Sequence, residues 1–495
     1  MKTCHIPRIV LAAPQSSSGK TTVVTGILAA LNKKRLKVQP FKIGPDYIDP
    51  SYHAIAASRP GHNLDTWLVN KGKISQLFAG YSYNADMAVI EGVMGLYDGG
   101  QNGVSSTAEL AKILKAPVIL VINCRSMGDS AAALALGFKT YDKDVDFAGV
   151  ILNCLGSATH EQMIRDAMQK LEIPVLGAIR RDDEMKMPER HLGLTPAGEK
   201  DTTEKIAYIA EKIAAQVDLL GIIKIAQAAP AVSFTESEVL PEINKTVKIA
   251  VARDKAFSFY YAAGLDVLKS LGAQIEFFSP IADKKLPECD AVILGGGFPE
   301  LFVDELSKNA SMLESLRQAD ASGMPIYAEC GGFMYLMQTI KDFDGKVWKM
   351  AGIIPAHAVM QRKLQTVGYV TAQAVGNNIL MADGKTIHGH EFHFSVQENP
   401  DDDSTFPWAF VFTKNRTNAQ YKAGYSRNNV LASYLHLHFF GAVSAAKQFV
   451  QKAYEYKAGN KTLNEWATAF CERKYNSDFS KEMTRSVGEY LKQFE

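Results

Sequence analysis

The 495-residue chain has no surplus of either charge: 54 lysines and arginines face 53 aspartates and glutamates, a formal net charge of +1. Nucleic-acid and polybasic membrane binders need a positive field, so this balance argues against both; a basic pocket for a small acidic substrate stays open. Cysteine is scarce. Cys4, Cys124, Cys154, Cys289, Cys330 and Cys471 are scattered, with no CxxC pair and no metal-ligand spacing. That usage fits a reducing compartment. No run reaches the ~18 apolar residues of a membrane span. The early apolar stretch "IVLAA" lacks the core and cleavage site of a signal peptide. Repeats and low-complexity tracts are missing too. What remains is a soluble, cytoplasmic globular protein, and at roughly 100–200 residues per domain its length predicts two to four domains.

What is present is an alternation. The apolar runs "RIVLAA", "VQPFKI", "MAVIEG", "PVILVIN", "AGVILN" and "VLGAI" are separated by amphipathic stretches such as "TTVVTGILAALNKK". Short buried strands alternating with helices predict a parallel, doubly wound α/β sheet. The period lapses in "IAQAAPAVSFTESEVLPEIN", which reads as a linker over 226–245 between a first domain, 1–225, and a second, 246–445. "VKIAVAR", "QIEFFS", "DAVILGGG" and "MPIYAEC" start the second alternation. The polar, helical tail 446–495 reads as a C-terminal extension.

"RIVLAA", the loop "PQSSS" and Gly19-Lys20-Thr21 at a helix head form the order a phosphate loop requires. Helix-start N–H groups, flanked by Ser18 and Thr22, face the phosphates, and the helix dipole favours negative charge there. Gly19 lets the backbone approach, Lys20 reaches the outer phosphates of ATP, and the Thr21 hydroxyl ligates Mg²⁺. Pro14 stands where the usual first glycine would be, so a serine-rich helix cap is the competing reading. Asp46 and Asp49 follow the second strand and Glu91 ends "MAVIEG", all at the rim where open α/β sheets bind ligands. Asp46 and Glu91, with Thr21, are the candidate metal ligands; turn and capping carboxylates are the alternative. Lys42 and Asp49 are candidates for holding and activating an anionic substrate. "GVMGLYDGG" is either a close-approach substrate loop or a flexible turn. Asn123 and Asn153 each end a strand and either read a nucleobase edge or form turns; Asn153 is counted with the ATP-binding residues.

In "MPIYAECGGFMYL", Cys330 ends a strand and precedes two glycines and a helix. A strand, tight turn and helix lift a nucleophile above a sheet, and a helix start favours thiolate. An inert buried thiol is the bland reading. "ILGGGFPE" offers N–H groups of Gly296 and Gly297 as an oxyanion hole. "ASYLHLHFFG" offers His436 as the base, with His438 on the same face if the segment is a strand. The histidines and Glu391 of "HGHEFHFS" could serve a metal, an acidic substrate or strand packing.

"APQSSSGKTT", "FKIGPDYIDPSYH", "VIEGVMGLYDG", "GGGFPE", "AECGGFMYL", "GHEFHFS" and "YLHLHF", in this order, resemble the cobyrinate a,c-diamide synthases of corrinoid biosynthesis over residues 5 to about 445. The resemblance implies a phosphate-loop ATPase of the dethiobiotin-synthetase type joined to a class I glutamine amidotransferase. It implies ATP and Mg²⁺ at Lys20, Thr21, Asp46, Asp49 and Glu91, Cys330 as glutaminase nucleophile, and His436 as its base. Glutamine, ATP and a tetrapyrrole carboxylate are then the partners, with cobyrinate amidated at its c and then a acetates. Nickel sirohydrochlorin and hydrogenobyrinate enzymes share these motifs, and an ATPase switch fused to an inactive amidotransferase-like module is the rival of another class. A homodimer is left open. One departure stands out: class I amidotransferases carry Glu two residues after the histidine, and here that residue is His438.

Overall fold

The structure is a computed structural model that describes residues 2–187, 200–235, 246–399 and 405–473. The six apolar runs of the first half become six strands of a seven-stranded parallel sheet, and His62–Leu64, not among those runs, adds an edge. The spatial order is His62–Leu64, Val38–Ile43, Met87–Glu91, Arg8–Ala12, Val118–Asn123, Phe147–Leu155 and Val175–Arg180. Helices cover both faces, which is why these strands are apolar throughout instead of alternating. The helix Lys20–Lys33 packs closely on Lys200–Gln216, and Gly26 permits this: a Cβ there would come 2.4 Å from Ile213.

The expected linker is only partly irregular. A helix runs to Ala228, and Val232–Phe234 pairs antiparallel with Lys2–Cys4. Arg8, fully buried, donates to the carbonyls of Ile6, Leu114, Lys115 and Pro230, which pins this crossing. The partner strand lies some 230 positions away, so local composition carried no sign of it. Residues 236–245 of the expected linker lie outside the described residues.

The second sheet has nine strands. Ala273–Phe278, Val247–Ala252, Ala291–Leu294, Ile326–Glu329 and Val430–Ser433 are parallel neighbours. Gln420–Arg427, Trp408–Lys414, Thr366–Ala374 and Thr386–His393 extend them antiparallel. The extension starts at Val443, not 446, as a helix to Arg473. Its Phe449, Val450 and Ala453 are buried in the second domain's core, so this stretch belongs to that domain. The tail from 474 lies outside the described residues.

The two domains meet along their C-terminal strand rims. Trp67 stacks on His388 at 4.0 Å and donates to the Gly389 carbonyl. The Tyr369 hydroxyl donates to the fully buried Asp65 at 2.7 Å. Gly441 lies on the Leu68 carbonyl, where a Cβ would approach to 1.8 Å.

Candidate functional site

At the first rim the chain leaves Arg8–Ala12, turns through Ser17 and Gly19 in the left-handed region (φ 63° and 79°) and enters the helix at Lys20. The turn leaves the helix's first N–H groups clear of a side-chain cap. Asn153 braces it: its amide donates to the Ser18 carbonyl at 3.0 Å and accepts from Cys154 N–H. The Ser18 hydroxyl donates to Gln15 O. Thr22 is half-buried on the first helical turn. Asn123 forms a turn, accepting from Arg125 N–H. "GVMGLYDGG" closes over the loop, and Lys20 Nζ donates to its Met94 carbonyl at 3.0 Å. Burial, with Lys42 close by, lowers the Lys20 pKa to about 8 against the pull of Glu91, Asp49 and Asp46.

Beside this loop lies a buried charge cluster. Lys42 Nζ sits 2.5 Å from Asp49, 3.0 Å from Glu91 and 3.8 Å from Asp46. The Thr21 hydroxyl donates to Glu91 at 2.8 Å, with Asp49 at 3.4 Å. Asp46 Oδ1 accepts the N–H groups of Ile48 and Asp49, fixing the turn into the helix Asp49–Ala57. His53, on that helix and fully buried, brings Nε2 to 2.7 Å from the other Glu91 oxygen; sequence reasoning passed over it inside "PSYH". Burial opposes ionisation of Glu91, yet Lys42 and His53 hold it well below the usual carboxylate range. Asp49 is pushed up, by burial first and then by Asp46. Asp49 and Glu91 thus meet Thr21, and Asp46 joins them through Lys42. These hard oxygen donors fit Mg²⁺, which takes one or two carboxylates and completes its shell with phosphates and water. Among the described residues, no cluster of three or more His, Cys, Asp or Glu forms a metal cage by itself, "HGHEFHFS" included.

At the second rim, Cys330 follows Ile326–Glu329 and precedes the helix Gly331–Leu336. Its φ of 47° and ψ of −100° are strained for a non-glycine residue, at a cost of about 1–3 kcal/mol. The glycines make room: a Cβ on Gly332 would come 2.2 Å from Leu294 O, and one on Gly331 would come 3.1 Å from Gly297 N. The expected oxyanion donors therefore border the elbow. Gly296 borders His436, since a Cβ there would lie 2.7 Å from its ring.

His436 is buried and interacts with both Cys330 and Glu329; burial works against its charge, but these two raise its pKa to about 10. The strand ends at Ser433, so His436 and His438 lie past it, not on it. Reciprocal backbone bonds between His436 and His390 (2.8 and 3.2 Å) hold this segment instead. That is one use of "HGHEFHFS". Gly389 is required there because a Cβ would strike Leu435 at 2.3 Å. His393 stacks on Tyr434 at 3.9 Å. The missed carboxylate is Glu329, whose Oε2 lies 3.3 Å from His436 Nδ1.

The two rims face one another through Tyr47. This residue follows Asp46, and its ring stacks on Phe259 at 4.9 Å, meets Tyr261 at 4.5 Å and lies 5.2 Å from His436. His438 stacks on Tyr261 at 4.5 Å, and neither of its ring nitrogens bonds to another described residue.

Comparison with known proteins matches this division. Residues 9–194 match the CobQ/CobB/MinD/ParA nucleotide binding domain, and residues 248–444 match the CobB/CobQ-like glutamine amidotransferase domain. A chain with both is a glutamine-dependent amidating ligase. Curated relatives run nearly end to end. The cobyrinate a,c-diamide synthase of Dehalococcoides mccartyi strain CBDB1 is 44% identical over 463 residues, 90% of this chain and 98% of that one. Its namesake in Picrophilus torridus is 44% identical over 91% and 99% of the two chains. The one in Leptospira interrogans serovar copenhageni is 39% identical over 90% and 98%. The chain belongs to the cobyrinate a,c-diamide synthase family.

Proposed function

We propose that the chain amidates the a and c acetate carboxylates of cobyrinate, using glutamine and ATP, in the cytoplasm. Cys330 gives its proton to His436, and the sulfur attacks the side-chain amide carbon of glutamine. N–H groups of Gly296 and Gly297 hold the oxyanion. His436 returns the proton to the departing nitrogen, ammonia leaves, and water hydrolyses the γ-glutamyl thioester to glutamate and free thiol. At the other rim, Lys20 and the N–H groups from Ser18 to Thr22 hold the phosphates of ATP. Lys42 and Asp49 orient the acceptor carboxylate, which takes the γ-phosphoryl group and leaves ADP. Ammonia then displaces phosphate from the acyl phosphate to give the amide. Thr21, Asp46 and Glu91 would hold magnesium, which would neutralise charge at the phosphates.

The observation that carries this reading is the packing of Tyr47, next to Asp46, against His436 at 5.2 Å. An aromatic junction between the thiol and the carboxylate cluster supports transfer of ammonia away from water that would protonate it. The test is mass spectrometry of cobyrinate with ATP, magnesium and glutamine, beside nickel sirohydrochlorin as acceptor. Diamidated cobyrinate is expected. Preference for the nickel compound would overturn the acceptor, and no glutamate release would overturn the reaction. Cys330→Ala should lose glutamine use and keep amidation with ammonium salts.

A further inference from the structure

We infer that Glu329 is the carboxylate that orients His436, replacing the glutamate that related amidotransferases carry two residues after the histidine. This rests on the reading of Cys330 as the glutamine nucleophile. The sequence position that would hold that glutamate is His438, whose ring is spent on Tyr261. Glu329 comes instead from the residue just before the nucleophile. The strand Ile326–Glu329 runs parallel to Val430–Ser433, with Glu329 opposite Ser433, and Cys330 N–H bonds Ser433 O at 2.7 Å. One strand thus delivers the thiol and the carboxylate, while its neighbour delivers the imidazole three residues on.

The hydrogen bonds fix the tautomer. Glu329 Oε1 accepts two donors, the Tyr327 hydroxyl at 2.6 Å and Leu437 N–H at 3.2 Å. Its Oε2 is left to face His436 Nδ1 at 3.3 Å. A carboxylate can only accept, so Nδ1 carries the proton and Nε2 is free to take the one on the thiol. The imidazolium that results sits against a negative charge at a site where both side chains are buried: 2% exposed for His436 and 10% for Glu329. Glu391, a buried carboxylate in the same region, is engaged by Tyr421 and by His393. Glu329 is a positioning residue; it does not touch the substrate.

Glu329→Gln tests this with little change of shape. Tyr327 and Leu437 both need an acceptor, so the amide oxygen turns to them and the NH₂ turns to Nδ1. That moves the ring proton to Nε2, and nothing is left to accept from Cys330. The expected result is a loss of about 10³–10⁴ in kcat for glutamine hydrolysis, the scale seen when a triad carboxylate becomes an amide. KM for glutamine, the thermal midpoint and ammonium-driven amidation should hold. Glu329→Asp keeps the charge and should recover at least about tenfold over the Gln variant. Glutamine hydrolysis by Glu329→Gln within about threefold of wild type would overturn the inference. So would loss of ammonium-driven activity together with the thermal midpoint, which marks a structural role. Should the Gln variant not fold, the Asp variant decides: a folded protein whose loss is confined to glutamine use supports the inference, and failure to fold, or an equal loss of ammonium-driven activity, overturns it. Cys330→Ala runs alongside; if it still releases glutamate, the reading of the nucleophile fails, and with it the ground for this test.

Discussion

The two rims use the same device, a strand that turns through a left-handed residue into a helix, yet they fill the turn differently. At the phosphate loop that residue is Gly19, φ 79°; at the thiol it is Cys330, φ 47°. On the proposed reading the first uses its backbone N–H groups, so the side chain can be absent at Gly19 and that residue is nearly free of strain. In the second, on the same reading, the side chain is the reagent, and strain of about 1–3 kcal/mol is accepted to present it. The rims differ as well in charge. The first buries Lys20, Lys42, Asp49 and Glu91 around one another, whereas the second rests on one thiol, one imidazole and one carboxylate.

Replacing Cys330 by glycine separates reagent from strain. Glutamine-dependent activity should fall by at least about 10⁴-fold. Stability in urea should fall by no more than about 1 kcal/mol, because released strain offsets the lost side chain; a larger drop would remove the strained-elbow account. Lys42→Met attacks the charged rim. It removes the cation in contact with both Asp49 and Glu91 and should cost about 3–5 kcal/mol in unfolding free energy from urea titration. An unchanged midpoint would mean that the cluster is not held by Lys42.

Acid should loosen the junction between the rims. Burial pushes His62 down to about 4 and, with His62 beside it, His438 down to about 3. Both are ordinary in the unfolded chain, near 6.5. The unfolded state therefore binds more protons below that pH, so their contribution is complete above about 6.5 and is lost as pH falls towards 4. Between pH 7 and 5 the loss should be about 2 kcal/mol per histidine, and His438→Phe should flatten the urea-midpoint profile by one such share. A profile as steep as wild type would contradict the assignment. The smallest effect is expected from Gly19→Ala. Its Cβ would meet the Asn153 amide at 2.4 Å, and adding αL strain it should cost about 1–2 kcal/mol. Calorimetric titration with ATP should show weakened binding; full affinity would mean that the loop adapts.

Most parallel strands of both sheets were legible because a strand covered on both faces must be a short apolar run, and the runs at 8–12, 87–91 and 326–329 fell where expected; His62–Leu64, Val430–Ser433 and the antiparallel strands of the second sheet were not read. Lys20, Thr21, Asp46, Asp49 and Glu91 were legible for a related reason: the ends of parallel strands gather on one rim. Glu329 was not legible. Nothing local separates it from a strand residue that happens to be polar, and its partner is set by pairing with a strand about a hundred residues on. His53 hid inside a helix for the same reason. Val232–Phe234 was read as linker because its partner is the chain's own start. The work of "HGHEFHFS" is a backbone ladder to His436, which residue types cannot announce.

The most direct test is to give the enzyme glutamine labelled with nitrogen-15 in its amide, together with a large excess of unlabelled ammonium, ATP, magnesium and cobyrinate. If nitrogen passes from Cys330 to the carboxylate rim behind Tyr47, as proposed, it does not mix with solvent, and the product amides should carry the label almost undiluted. Amides that take their nitrogen in proportion to the bulk ammonium pool would contradict the facing of the two sites.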